Sequence, residues 1–401
     1  MKVSLKKYRK ELTQELSNIL NYWMQYSPDS VNGGFYGSID NNNHPDPEAP
    51  KGIVLNSRIL WTFSAAYNQT NDGKYLQFAE SAFHYIVDYF VDRQFGGVYW
   101  TVDHKGEKLN DRKQIYGLAF CIYGLSEYFK ATEDQDAYQL AIKLYWLIEY
   151  YAYDQAHKGY LEAFTREWKN ISDMRLSEKD ANEKKSMNTH LHIAEAYANL
   201  YQVWPDKKLK QQIENLLEVF AHHIIDDASH HLHLFFDENW NVKSNIISYG
   251  HDIEAAWLLQ EIAEVIHHPG WMMAMRTMGI KIADAVVEGL DEKGGLNYES
   301  NNGMLIKQKH WWPQAEAMIG FFNAYQLTED EKYLQQSLKS WEFTGKYIKD
   351  HQNGEWFWGV HEDHSLMEGY EKAGLWKCPY HNARACMFII RRIDQISNLQ
   401  D

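Results

Sequence analysis

DRQFGGVYW, residues 92–100, is a glycine turn with an aromatic tail, and the same combination returns along the whole chain. Gly33-Gly34 leads into Phe35 and Tyr36, Gly96-Gly97 into Tyr99 and Trp100, and Gly159 into Tyr160. His231 opens His-Leu-His-Leu-Phe-Phe at the fourth place. Gly294-Gly295 leads into Tyr298, and Gly354 into Trp356, Phe357 and Trp358. The turns recur about 60–72 residues apart, and self-similarity at a near-fixed period signals a repeat architecture.

Between the turns the apolar pattern is helical. Apolar residues three and four apart predict helices near 5–26, 53–70, 74–92, 113–131, 134–152, 186–204, 207–225, 250–268, 270–288, 313–328, 330–349 and 380–397. Pro205 and Pro269 fall between helices, and Pro313 and Pro379 fall at helix starts. Six turns and twelve helices predict six helical hairpins, an all-α (α/α)6 barrel with short β-turns and hairpins in its loops. An open solenoid normally shows polar capping repeats, and none is evident. Because the repeat runs end to end, residues 1–401 are expected to form a single catalytic domain. The long polar connections 153–185 and 289–310 are candidates for functional loops.

Bulk properties narrow the function. Of 401 residues 45% are hydrophobic, and the formal net charge is −15. Such an acidic chain repels nucleic acid and anionic membrane, so neither is an expected partner. Three cysteines, Cys121, Cys378 and Cys386, lack metal-knuckle spacing and fit a reducing compartment. The N-terminus MKVSLKKYRKELTQELSNIL is charged and amphipathic, unlike a signal peptide. A cytoplasmic enzyme is expected, monomeric, with a dimer as the alternative. Aromatics make up 15% of the chain, which suits both a core and a sugar cleft.

The first turns of the helices that follow each glycine turn carry Arg58; Tyr116; Asn188 and His192; His251 and Glu254; Trp311 and Trp312; and His381. Equal phase in a ring of hairpins means one end of the barrel, so these side chains are expected to meet at one mouth. Asn188, His192 and Glu195 share a helix face, as do His251 and Glu254, whereas His190 points elsewhere. A carboxylate beside a histidine fixes its tautomer and raises its basicity, the role expected of Glu254 toward His251. Most of the 19 histidines are expected on surfaces and loops. No H-E-x-x-H, paired cysteines, P-loop or strand-linked G-x-G-x-x-G is present, so neither a metal nor a nucleotide cofactor is expected.

The stretches SMNTHLHIAEAY (186–197), YGHDIEAAWLL (249–259), HWWPQAEAMIGFFNAY (310–325) and GLWKCPYHNARA (374–385) closely resemble cellobiose 2-epimerases of the N-acylglucosamine 2-epimerase superfamily. VLNSRILWTFSAAY (54–67) matches as well, so the resemblance covers essentially the whole chain. It implies an (α/α)6 barrel that inverts C2 of the reducing-end glucose or mannose of β-1,4-linked disaccharides such as cellobiose, mannobiose and lactose, without a cofactor. It also implies that His251 and His381 carry the proton transfers. Arg58, Tyr116, Asn188, His192, Glu254, Trp311, Trp312 and Trp376 then line the sugar site.

Those residue types suit the chemistry. The C2 hydrogen lies α to the open-chain aldehyde, and removing it needs a base that is neutral near pH 7. Two histidines on different helices can serve opposite faces of a cis-enediolate. His381, in a first helical turn, is expected to have a depressed pKa from the helix dipole. Arg58 and His192 are candidates to stabilise the enediolate, with Asn188 and Tyr116 orienting hydroxyls. The alternatives are a mannose-type aldose–ketose isomerase or N-acylglucosamine 2-epimerase, an (α/α)6-barrel glycoside hydrolase using Asp103, Asp252, Glu254 or Glu316, and a non-catalytic binding barrel.

Overall fold

The computed structural model describes residues 2–398, and twelve α-helices carry the architecture among them. Met1 and residues 399–401, the extremities of the predicted domain, lie outside the described residues. The helices are α1 (Lys2–Tyr26), α2 (Ile53–Thr70), α3 (Gly73–Tyr85), α4 (Ile115–Thr132), α5 (Gln135–Tyr151), α6 (Met187–Tyr201), α7 (Lys207–Val219), α8 (Tyr249–Val265), α9 (Pro269–Val286), α10 (Trp311–Thr328), α11 (Glu331–Phe343) and α12 (Tyr380–Asn398).

The even-numbered helices form a closed inner ring. α2 packs on α4, α4 on α6, and so on to α12, which returns to α2. They are buried almost all round. Glycine sets how closely they approach. A Cβ on Gly124 would lie 2.7 Å from the Ser57 carbonyl oxygen, and one on Gly320 would lie 2.7 Å from that of Ile253. Each odd-numbered helix from α3 to α11 packs outside the inner helix that precedes it, and α1 packs on α12. This is the (α/α)6 barrel expected from the repeat.

The two ends of the barrel are built differently. At one end inner and outer helices join through tight links. In Asn71-Asp72, Glu133-Asp134 and Glu329-Asp330 the first residue is left-handed, φ 56–59°, and the aspartate then caps the next helix with its side chain. At the other end each outer helix leads through a long connection to the next inner helix. The repeated glycine turns sit here because the backbone reverses through left-handed residues: Gly33 and Gly34, Gly96 and Gly97, Lys158 and Gly159, Gly354 and Glu355. His230, φ 62°, fills the corresponding place in the fourth turn, which has no glycine.

Two devices stitch this end together. Short strands just before the inner helices pair antiparallel with the connection of the next repeat, as in Lys51-Gly52 with Thr101-Val102 and Lys185-Ser186 with Phe235-Phe236. Ion pairs, most of them buried, instead tie the turn of a connection to a lysine later in the same connection. Asp29 holds Lys51 at 2.8 Å, Asp92 holds Lys113 at 2.8 Å, Asp154 holds Lys185 at 2.8 Å, Asp291 holds Lys309 at 3.2 Å and Asp350 holds Lys372 at 2.6 Å. Each of Asp29, Asp92, Asp154 and Asp350 also accepts backbone N–H groups of its own turn.

The predicted helix spans agree with the structure to within a few residues. Three outer helices end in a single wider turn, a π turn at 86–90, 220–224 and 344–348, where helical periodicity predicts unbroken helix.

Candidate active site

A cavity of about 510 Å³ opens at the end of the barrel that carries the long connections. All ten predicted site residues line it: Arg58, Tyr116, Asn188, His192, His251, Glu254, Trp311, Trp312, Trp376 and His381. The connection 153–185 contributes Met174 to Glu183 to its rim, and the connection 289–310 contributes Tyr298, Glu299 and His310.

The position of each inner helix in the ring explains the convergence. Counting seven residues on from Lys51, Lys113, Lys185, Ile247, Lys309 and Lys377 reaches Arg58, Phe120, His192, Glu254, Glu316 and Arg384. These six form one layer across the barrel, all buried. Tyr116, Asn188, Trp312 and Tyr380 stand one helical turn nearer the opening, with His251 and His381 directly beside them.

The layer is a closed set of charges. Arg384 donates to Glu254 at 2.6 Å, to Glu316 at 2.7 Å and to Glu195 at 2.5 Å. Tyr380 donates its hydroxyl to Glu195 at 2.6 Å, and Trp257 donates to Glu316 at 2.9 Å. Opposite them, the Arg58 guanidinium lies 4.2 Å from the Phe120 ring centroid and donates to the Tyr116 hydroxyl at 2.8 Å. Glu254, Glu316 and His381 offer ligand atoms within 4.8 Å of one another, the only such trio among the described residues. The Arg384 guanidinium already supplies the cation there, so the donor set does not fit a metal.

The histidines are each held by one nitrogen. His381 Nδ1 lies 2.6 Å from Glu316, His192 Nδ1 lies 2.9 Å from Glu195, and His251 Nδ1 lies 2.8 Å from the Ser248 hydroxyl. The Nε2 atoms are left for the cavity. The Trp312 ring packs against both predicted bases, with its centroid 4.7 Å from that of His251 and 5.7 Å from that of His381.

Burial dominates the electrostatics. It drives His251 down to about 3, helped by the charges on His192 and Arg58. Burial also drives His381 well below the usual imidazole range, aided by Arg58 and Arg384. Both are therefore neutral at pH 7. Burial beside Glu316 lifts Glu254 to about 7. Burial would lift Glu195 as well, but Arg384 and His192 outweigh it and bring that carboxyl to about 2.

Three expectations change. Glu254 does not partner His251: the guanidinium of Arg384 reaches it first, and His251 takes Ser248 instead. The depressed pKa of His381 is present, but burial and two arginines cause it, not the helix dipole. Trp311 is largely wall, packed 4.5 Å from Trp358 with Lys377 over its ring, whereas Trp312 and Trp376 are half-buried and face the cavity. His190 does point elsewhere: Nδ1 bonds the Ser186 carbonyl at 2.7 Å, and Nε2 accepts from Tyr160 N–H at 2.8 Å. Of the carboxylates considered for a hydrolase, Asp252 pairs with His231 outside the cavity, Asp103 holds an exposed turn, and Glu254 and Glu316 are bound by Arg384.

Sequence reasoning did not assign Glu316 and Arg384 to the epimerase site. Their signal was present as the seven-residue offset from Lys309 and Lys377, the same offset that separates Arg58 from Lys51 and His192 from Lys185.

The profile of the N-acylglucosamine 2-epimerase (GlcNAc 2-epimerase) family matches residues 34–385. A cellobiose 2-epimerase of Bacteroides fragilis is 47% identical over 95% of this chain and 98% of its own. The solved structure of a cellobiose 2-epimerase from Bacillus thermoamylovorans superposes with a TM-score of 0.91, at 40% identity over 98% of this chain and 100% of that one. A GH76 alpha-mannanase of Bacteroides thetaiotaomicron shares the fold alone, with a TM-score of 0.67 at 12% identity.

Proposed function

Because the chain belongs to the N-acylglucosamine 2-epimerase family, we propose that it inverts C2 of the reducing-end glucose or mannose of β-1,4-linked disaccharides. Cellobiose, mannobiose and lactose are the substrates to test. The observation that carries the reading is the pair of buried, neutral histidines, both packed against Trp312 at the cavity and each with Nδ1 tied down.

In this reading the sugar ring opens first. His192, with Nδ1 held by Glu195, moves the proton between O1 and the ring oxygen through Nε2. His381 keeps its Nδ1 proton on Glu316, so Nε2 carries the lone pair that takes the C2 proton from one face. The pair takes up one proton with the substrate: His251, its Nδ1–H then donating to the Ser248 hydroxyl, returns that proton from Nε2 to the other face and is left neutral, while His381 is left as the imidazolium. The reverse reaction exchanges the two roles. Negative charge that spreads over O1 and O2 meets Arg58, which stays charged and is already oriented by Tyr116. Asn188, whose Oδ1 is buried without a partner among the described residues, orients a hydroxyl, and Trp312 and Trp376 stack on sugar faces.

The same proposal makes residues 1–401 one catalytic domain acting as a monomer in the cytoplasm. One contiguous hydrophobic core running from α1 to α12 supports the first point, a cavity completed by a single chain the second, and three free, buried cysteines the third. No helix among the described residues is long and apolar enough to cross a membrane.

The test is NMR of cellobiose in heavy water. Glucosyl-mannose with deuterium at C2 is expected, and free glucose would indicate a hydrolase. A ketose would indicate an aldose–ketose isomerase. His251→Ala and His381→Ala should each abolish exchange; near-wild-type exchange in either would overturn the two-histidine scheme.

A further inference from the structure

The fourth repeat departs from the others, and the departure lies against His251. Where the other repeats place a lysine before the inner helix, this one has Ile247. It also lacks the glycine turn and carries His230-His231 there. The buried ion pair has moved. His231 Nδ1 lies 2.7 Å from Asp252, the residue after His251, and both side chains are almost fully buried at 7% and 0% exposure. His231 Nε2 lies 3.3 Å from Glu288, at the end of the outer layer's α9.

Asp252 occupies a position with a common task. In the third repeat His190 receives Tyr160 N–H, in the fifth Gln314 receives Leu296 N–H, and in the fourth Asp252 receives Leu232 N–H at 2.9 Å. In the sixth, Asn382 donates to Glu355 of its turn. Each ties a turn to the first coil of an inner helix. Of these four ties, the one in the fourth repeat alone puts a carboxylate on the helix, and there a histidine supplies the balancing charge.

We propose that His231 is a positioning residue whose proton fixes the first turn of α8, and with it His251 and Glu254, through Asp252. The inference rests on the epimerase reading for its kinetic part only. The groups facing His231 are Asp252 and Tyr249 from α8, Glu288 from the turn after α9, and Asp226 from its own turn, whose N–H donates to the His231 carbonyl. No cation faces it among these. Burial disfavours its charge, but Asp252 and then Glu288 outweigh burial and raise its pKa above 6.5. The charged clasp is thus complete below that ordinary value and is lost as pH rises through the raised one.

The experiment uses the whole enzyme labelled with nitrogen-15 in histidine. Imidazole resonances are followed from pH 5 to 10 in wild type, His231→Gln and Asp252→Asn, the last giving the fourth repeat the amide that the sixth has in Asn382. His231 should titrate above 6.5, and the His251 resonances should move with it in wild type but not in either variant. In C2 exchange of cellobiose, both variants should lose about tenfold in kcat near neutral pH, with KM within about twofold. Wild type should show an alkaline fall in kcat, and both variants should lose it. The double variant should be no worse than either single one. Titration of His231 at or below 6.5, an unresponsive His251, or a wild-type kcat profile in both variants would overturn the proposal. Coupled titrations with no exchange in wild type would uphold the clasp and defeat the epimerase reading instead.

Discussion

Arg384 carries the largest electrostatic burden of any single residue. It is fully buried and answers three carboxylates, Glu195, Glu254 and Glu316, which would otherwise stand uncompensated beneath the histidines. Removing one partner of a buried charge set costs about 3–5 kcal/mol, so Arg384→Met should lower unfolding free energy by that amount in urea titration. One guanidinium cannot neutralise three carboxylates, which is why Glu254 keeps its proton up to about 7. Glu316→Gln takes away the nearest like charge. Glu254 should then titrate at lower pH, toward the ordinary carboxyl value, and an inflection in kcat/KM that follows its charge should move with it. Profiles from pH 4 to 9 check this. His251 contributes no inflection between 5 and 7, because burial holds it at about 3, and burial moves His381 in the same direction. The site was only partly legible at this scale. Helical spacing identified the histidines by type and phase, but Glu316 was weighed only as a hydrolase carboxylate and Arg384 was given no role. Burial, which decides their role, is a property of the ring and not of the local pattern. Glu254 was misassigned for the same reason: three-residue spacing to His251 gives proximity on one helix, whereas the partner it takes comes from another.

At the scale of elements, the connections at the mouth are held by buried aspartate–lysine pairs. Lys51 and Asp29 are each 1% exposed, and Lys51 also donates to the Gly33 carbonyl at 2.6 Å. Lys158 and Glu218 form a pair of similar length with both side chains 42% exposed. Lys51→Met should cost about 3–5 kcal/mol, and Lys158→Met less than about 1 kcal/mol, because water screens the second pair and solvates what remains. Chemical denaturation of the two variants gives the comparison. The helices themselves were readable from apolar spacing almost to the residue. The π turns at 86–90, 220–224 and 344–348 were not, because one widened turn alters hydrogen bonding without altering composition. Nor were the ion pairs, whose partners lie on separate elements and become neighbours only when the turn folds back.

At the scale of the molecule, the repeat predicted both the number of helices and the closure of the ring. Closure depends on the chain's two terminal helices, α1 and α12, packing as the last antiparallel pair. Arg9 forks onto Asp394 at 2.5 and 2.9 Å, Trp23 donates to Glu355, and Trp356 donates to Glu15. A circular permutant that begins at Asp330, with a flexible linker joining the ends of α12 and α1, should keep the fold and C2 exchange. Thermal melting and NMR of cellobiose check this. The start of α1 and the end of α12 lie at the same end of the barrel as the Glu329-Asp330 link, away from the mouth.

The pairing of α1 with α12 also bears on synthesis. Among the described helices, α12, which carries His381 and Arg384, leaves the ribosome last, and α1, which seats it, leaves first. A nascent chain therefore carries α1 with its apolar face unpaired while α2 to α11 are made. In the permutant α12 would emerge second and α1 third, so the wait would pass from α1 to α11, whose partner α10 is then made last, while the finished barrel stayed the same.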